Sequence, residues 1–331
     1  MKSALRGIVD KTLLLIVICI SFSYTSQSQH IMLGNDKKFS VEAGLNFGPT
    51  FFLGDLGGNK GVGTYFLKDI NLDLTKMMKG AFVTVYPNSW MGLRFAGQLT
   101  KLSGNDQEIA LRNSDEGWRK ERNLDFRTNV WEAYGALELY PLSYLNRYDE
   151  EYDPTFKPYA FAGVGVFNFN PEGSLTDGAG NTRWYKLHPL RTEGQGMAEY
   201  PESKPYKLTQ LNVPFGAGVK IKINSRFYTG TEILYRHTFT DYIDDVSTTY
   251  IDPNHFNNYL SLADATIATQ ISDKMIPIYT TWLTTNRYAP GTQRGNPKRN
   301  DDYFSCVLKV GVKLGNQDPY SVRQTRCPHF Y

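Results

Sequence analysis

The chain has 331 residues and a formal charge of +3, from 36 Lys and Arg against 33 Asp and Glu. That balance excludes the strong basic excess of a nucleic-acid binder, and 21% charged with 14% aromatic residues excludes wholesale disorder. Three cysteines are too few for a disulfide-stapled scaffold or a thiolate metal cluster.

Residues 1–28 read as a removable export signal. Lys2, Arg6 and Lys11 precede or open an apolar run from Thr12 to Phe22, and Ser26-Gln27-Ser28 supplies small residues before Gln29. The run is about half the length a spanning helix needs. Ile18 stands before Cys19 where a lipoprotein signal would carry a small residue. The mature chain is therefore expected outside the cytoplasm without a helical span.

Beyond the leader, apolar residues recur with period two, the spacing of half-buried strands. The first segment runs from Phe39 to Gly48, with Val41, Leu45 and Phe47 opposite Glu42 and Asn46. The second covers about Gly80 to Tyr86. The third, Trp90 to Thr100, sets Leu93, Phe95 and Leu99 against Arg94 and Gln98. In the fourth, Phe126 to Tyr140, Trp131, Leu137 and Leu139 oppose Glu132, Tyr134 and Glu138. The fifth, Tyr159 to Phe169, has ambiguous faces. The sixth, Leu211 to Lys222, opposes Leu211, Phe215 and Val219 to Asn212 and Lys220. The seventh, Phe227 to Phe239, carries Ile233 and Tyr235 against Glu232 and Arg236. The eighth, Tyr303 to Leu314, sets Cys306, Leu308 and Val310 against Ser305, Lys309 and Lys313.

Connections between these segments alternate long and short. The long ones are about 49–79, 101–125, 170–210 and 240–302; the others are tight or middling. In an up-and-down barrel every second connection lies at the same rim. The expected fold is thus an all-β, eight-stranded antiparallel transmembrane barrel, with long extracellular loops and both termini on the periplasmic side. Closure is obligatory in lipid, because a sheet edge would leave N–H and C=O groups unpaired. The domain reading is 1–28 signal, 29–315 barrel and 316–331 periplasmic tail.

Charged strand positions belong inside, since a charge facing hydrocarbon costs roughly 2–4 kcal/mol near the midplane. Glu42, Arg94, Glu132, Glu138, Lys220, Glu232 and Arg236 are assigned to an ionic network in the lumen. Eight strands leave room only for side chains or one small ligand, so a plugged polar lumen is expected. Tyr86, Trp90, Tyr140, Tyr144 and Tyr159 are assigned to an interfacial belt near the short-turn rim.

The loops offer three chemical readings. Asp241, Asp244, Asp245 and Asp252 invite a calcium site, but their spacing lacks an EF-hand pattern, and turn capping or pairing with arginine is preferred. Leu260, Ala263, Ile267 and Ile271 suggest a short helix within 257–275, and the third loop is expected to be an irregular lid. His188, His237 and His255 lie toward the long-loop side without triad or metal spacing, so no catalytic residue and no cofactor is assigned. Mature Cys306 and Cys327 fall across much of the membrane from each other, too far for an internal disulfide. Cys327 is left as either a free thiol or a disulfide to a partner.

Lys157-Pro158-Tyr159, Gly163 to Phe167, Val213 to Lys220, Phe52 to Gly58, Glu232 and the run Arg236 to Tyr250 together resemble the PorG-like outer-membrane barrels of the Bacteroidota type IX secretion and gliding machinery. That resemblance spans most of 39–315. It implies a non-enzymatic anchor in contact with outer-membrane lipids, bound to a periplasmic ring lipoprotein and its associated protein, with no nucleic acid. Residues 316–331 and the 141–158 link are expected to carry the partner contact, with Cys327 a free thiol there or a covalent link to the partner. The alternatives are a surface ligand-binding protein or small membrane enzyme with its site in the extracellular loops, or a narrow porin.

Overall fold

A computed structural model describes residues 40–56, 75–108, 114–149, 152, 154–276 and 288–314. The expected leader, the 316–331 tail and Cys327 lie outside the described residues.

Ten strands form one antiparallel sheet: β1 (Ser40–Leu53), β2 (Lys76–Tyr86), β3 (Met91–Asn105), β4 (Asp125–Leu139), β5 (Phe156–Asn168), β6 (Glu172–Thr176), β7 (Thr182–Lys186), β8 (Thr209–Lys222), β9 (Phe227–Thr238) and β10 (Asp302–Leu314). Eight of them close on themselves. β1 pairs with both β2 and β10, the order continues through β9, β8, β5 and β4, and β3 pairs with β4 to complete the ring. The remaining two, β6 and β7, form a hairpin in the third long connection, joined to the wall by the ladder pair Arg127–Glu172, by the Ser174 N–H on Asp125 and by Arg127 over the Trp184 ring. Closure satisfies the backbone of every barrel strand, the condition for crossing lipid with strands. Among the described residues no helix is long and apolar enough to cross a membrane.

Side chains alternate across the wall as the period-two pattern requires. Leu45, Phe95, Leu99, Val164, Leu211, Ile233 and Val310 all point outward and are exposed, Val164 to 72%. An apolar exterior around a closed ring is a lipid-facing surface. The ambiguous fifth segment resolves here: Val164 faces out, while Tyr159, Phe161 and Phe167 face in. These rings need room, and glycines on the next strand provide it. A Cβ at Gly216 would approach the Phe161 ring to 2.9 Å, and one at Gly218 the Tyr159 ring to the same distance. Val164→Arg should therefore destabilise the folded barrel by about 2–4 kcal/mol. Urea titration in lipid, read by gel mobility of folded and unfolded forms, checks this; an unchanged midpoint would mean that this face does not meet hydrocarbon.

The tight rim is built by local hydrogen bonding. Asn88 Oδ1 accepts from the Trp90 and Met91 N–H groups at 3.2 and 2.9 Å, turning β2 into β3. Asn224 Oδ1 does the same for Arg226 and Phe227 at 2.9 and 2.8 Å, turning β8 into β9. The middling link begins as a short helix, Pro141–Leu145, with proline in its first turn. Of the five residues expected in an aromatic belt on this rim, Tyr86, Tyr140 and Tyr159 are instead buried in the barrel. Their positions share the inward parity of Glu138 and Glu232, whose carboxylates take their hydroxyl hydrogens. Trp90 and Tyr144 remain at the rim in an edge-to-face pair, 5.2 Å between centroids.

At the other rim the long connections fold together. The expected irregular lid is an ordered structure containing the β6–β7 hairpin and a helix, Leu262–Ser272. The helix is shorter than the sequence suggests because Ser261 caps it, accepting the Asp264 N–H at 3.2 Å. Its buried stripe is Ala265, Ala268, Ile271 and Ser272; Leu260 lies before the cap and Ala263 is exposed. With Leu187, Leu190, Met197, Ile251 and Phe256 this stripe forms a separate apolar core. A second core, including Leu102, Phe126, Phe167, Phe169, Tyr206, Ile243 and Tyr303, fills the barrel mouth beneath it.

Candidate functional site

Inward-facing strand positions bring charged residues together in the barrel. Arg94 pairs with Glu138 through Nε and with Glu232 through Nη2, the latter at 2.8 Å. Lys220 pairs with Glu42, and Arg236 Nε lies 3.2 Å from Glu132. All seven residues assigned to the lumen from sequence are buried at inward positions. They carry four acids and three bases. Lys309 completes the balance, lying 3.2 Å from Glu232 and 3.9 Å from Glu138. Sequence reasoning placed Lys309 on the polar row of the last strand and then left it out of the network. The uneven charge of the seven was the signal that an eighth was needed. Aromatic rings surround the cations: Arg94 lies 4.5 Å from the Phe161 ring, Lys309 4.3 Å from Phe82, and Lys220 4.4 Å from Tyr228. Asn212 adds a 2.6 Å bond to Glu132 and Ser305 accepts one of the same length from Arg236. Burying ions is costly unless each is paired and hydrogen-bonded, and this arrangement meets both conditions.

Above the mouth, two arginines tie the loops into one cap. Arg122 grips Asp106 with Nε and Nη2 at 2.8 and 3.0 Å and donates to the carbonyls of Asp55 and Arg294. Arg294 donates to Glu193 at 2.9 Å and to the Asp245 carbonyl at 2.7 Å. Glu193 in turn accepts from the Ser247 and Thr248 N–H groups, both at 2.9 Å. One residue from the third loop thus fixes the turn after β9.

The aspartates proposed for calcium are divided among different tasks. Asp245 accepts from Thr192 and from the Tyr206 hydroxyl at 2.5 and 2.7 Å, and burial raises its carboxyl to about 6 despite Arg294 beside it. Asp252 caps a short turn by accepting the Asn254 N–H at 3.0 Å. Asp241 and Asp244 join Asp55 and Asp301 in a second group. Burial, reinforced by repulsion from neighbouring acids (Glu193 and Asp106 for Asp55, members of the group for the other three), pushes all of them up, Asp241 to about 9. Among the described residues no three His, Cys, Asp or Glu side chains are grouped to hold a metal ion. The set Asp241, Asp244, Asp245 and Asp252 is therefore not assembled as a calcium site.

The histidines occupy three separate settings. His237 Nδ1 lies 3.2 Å from Asp302, which also accepts from Tyr235. His255 packs 5.6 Å from the Tyr200 ring. His188 Nε2 donates to the Tyr206 carbonyl at 3.0 Å and lines a cavity of about 310 Å³ with Pro189, Arg191, Gln195, Pro205 and Tyr206. That cavity is a candidate binding site, of a size at the lower end for small ligands. No spacing motif announced it, since its walls come from two stretches of the third loop that only the cap brings together.

Cys306 is a free, exposed cysteine on the outer wall. The disulfide-linked assembly expected through Cys327 is corrected accordingly: no disulfide is present among the described residues, the one described cysteine is unpaired, and Cys327 lies outside them. The ring-partner assignment rested on the family resemblance, and the covalent link offered for it is absent among the described residues.

No protein-family profile matches the chain, and no curated protein matches it in sequence. Several solved structures are similar in fold. The attachment invasion locus protein Ail of Yersinia pestis aligns over 83% of this chain and 99% of its own, at 8% identity and a TM-score of 0.33. OprG of Pseudomonas aeruginosa aligns over 85% and 98%, at 9% identity and a TM-score of 0.36. Neisserial surface protein A aligns over 83% and 97%, at 11% identity and a TM-score of 0.30. The closed eight-strand ring and its apolar exterior are what make the chain a small outer-membrane-type β-barrel.

Proposed function

We propose that this protein is a non-enzymatic surface-ligand-binding barrel of the outer membrane, plugged in its lumen and carrying its site in the folded extracellular cap. The observation supporting this reading is that the long connections form a structure with its own apolar core and a cavity, rather than tethers. Loops of this length usually serve function when they are ordered. The buried, balanced ionic network argues that the barrel serves as an anchor and not as a conduit.

The narrower reading as a type IX secretion anchor would rest on the resemblance at Arg236 to Tyr250, and no sequence comparison supports it. Those residues are largely consumed inside the molecule. Arg236 binds Glu132, Thr238 donates to the Asp301 carbonyl, and Ile243 and Val246 pack in the mouth core.

Two measurements test the proposal. Saturation-transfer NMR of the barrel in lipid nanodiscs, against a panel of neutral and charged small metabolites, is expected to give binding to the cap. Planar-bilayer recording is expected to give no stable conductance steps. Large steps with no ligand signal would make the protein a porin instead.

A further inference from the structure

Building on the ligand-binding reading, we infer that the cavity between His188 and Tyr206 takes a small organic carboxylate, with its acid held by Arg191 and Gln195 and its apolar body against Pro189, Pro205 and Tyr206.

Gln195 is 3% exposed, and its Oε1 accepts the Glu193 N–H at 3.2 Å. That bond fixes which end of the amide is which. The other end, Nε2, is buried with no hydrogen-bond partner. A buried donor left unpaired is unfavourable, and a ligand acceptor would satisfy it. Arg191 lines the same cavity and pairs with no carboxylate among the described residues; its guanidinium lies 5.9 Å from the Tyr259 ring. A guanidinium and a spare amide donor on residues lining one cavity offer donors for the two oxygens of a carboxylate.

The surroundings favour the same sign of charge. Lys204 and Lys207 are exposed on either side of the Pro205-Tyr206 wall. Three acids near this wall are occupied: Asp245 by Tyr206 and Thr192, Glu193 by Arg294 and two backbone N–H groups, and Glu199 by the Tyr259 hydroxyl; Glu202 is exposed beside Lys204. The Tyr206 hydroxyl is likewise spent on Asp245, and its ring is stacked between Phe169 and Tyr242. It therefore offers an apolar edge and no polar contact. The His188 Nε2 hydrogen is directed at the Tyr206 carbonyl, so that ring holds the wall in place.

Benzoate and benzamide form a matched pair of probes, equal in shape and different in charge. Saturation-transfer titration of the barrel in nanodiscs should show benzoate binding at least about tenfold more tightly than benzamide, the preference of a charge-assisted over a neutral hydrogen bond. Arg191→Gly should abolish that preference. Residue 191 sits at φ 51°, where glycine is unstrained, so the substitution removes the guanidinium without distorting the turn. Gln195→Glu keeps an acceptor for the Glu193 N–H and replaces the spare donor with a repelling oxygen; it should weaken benzoate and spare benzamide. Equal binding of both probes, or a preference that survives Arg191→Gly, would overturn the carboxylate inference while leaving the cap as a binding site. Failure of the whole metabolite panel would remove the binding reading itself.

Discussion

Glu232→Leu should destabilise the barrel by about 3–5 kcal/mol, the cost of leaving buried partner charges uncompensated. Glu232 takes Arg94 at 2.8 Å, Lys309 at 3.2 Å and the Tyr159 hydroxyl at 2.7 Å. Without it, Arg94 and Lys309 share Glu138 alone, at buried positions. Leucine fits the space in size but satisfies none of the three donors. The decisive companion is Glu232→Leu with Lys309→Met, which restores charge balance while removing yet another hydrogen-bonding group. If balance governs, the double variant recovers part of the loss; if individual bonds govern, it falls further. Urea midpoints of the folded form on gels rank the three proteins. A single variant as stable as the parent would show that the ionic interior contributes nothing net over an apolar one, an outcome known for some buried pairs.

Raising the pH from 5 to 9 should loosen the cap while the barrel stays closed. Asp55, Asp241, Asp244 and Asp301 all hold their protons more tightly in the folded cap than in an unfolded chain, because burial and repulsion from neighbouring acids disfavour the charged forms. A carboxyl with a raised folded value contributes stability at low pH and loses it as the pH climbs from the unfolded value to the folded one. For Asp241 that window runs from 3.8 to about 9. Each such group lowers cap stability by about 1.4 kcal/mol per pH unit inside its window. Arg122 offsets the cluster only in part, since its guanidinium is committed to Asp106. Proteinase K digestion of the folded protein, normalised to an unfolded substrate at each pH, should cut the cap faster at pH 9. Asp301→Asn, which keeps an oxygen for the Ile243 N–H, should flatten that dependence. A cap equally protected at both pH values would mean that the four carboxylates do not face one another as described.

The barrel was legible because strand alternation is a local property. Glu42 and Leu45, or Glu232 and Ile233, are assigned to opposite faces by parity alone, and the rhythm of long and short connections then orders the rims. The same parity places Tyr86, Tyr140 and Tyr159 inside, against the preference of tyrosine for a membrane interface, and their hydroxyls bind Glu138 and Glu232 there.

In the cap, the helix was legible and the contacts that hold the loops together were not. The cap residues come together from separate connections through contacts such as Arg122 with the Asp55 and Arg294 carbonyls, Arg294 with Glu193, and Ala268 with Met197 in one core. No period announces such contacts, because each partner lies tens or hundreds of positions away and the pairing depends on how the loops are brought over the mouth. Gln195 reads as an ordinary loop glutamine in the chain. Only the folded cap, by burying it and satisfying one end of its amide, leaves the other end as a donor in search of a ligand.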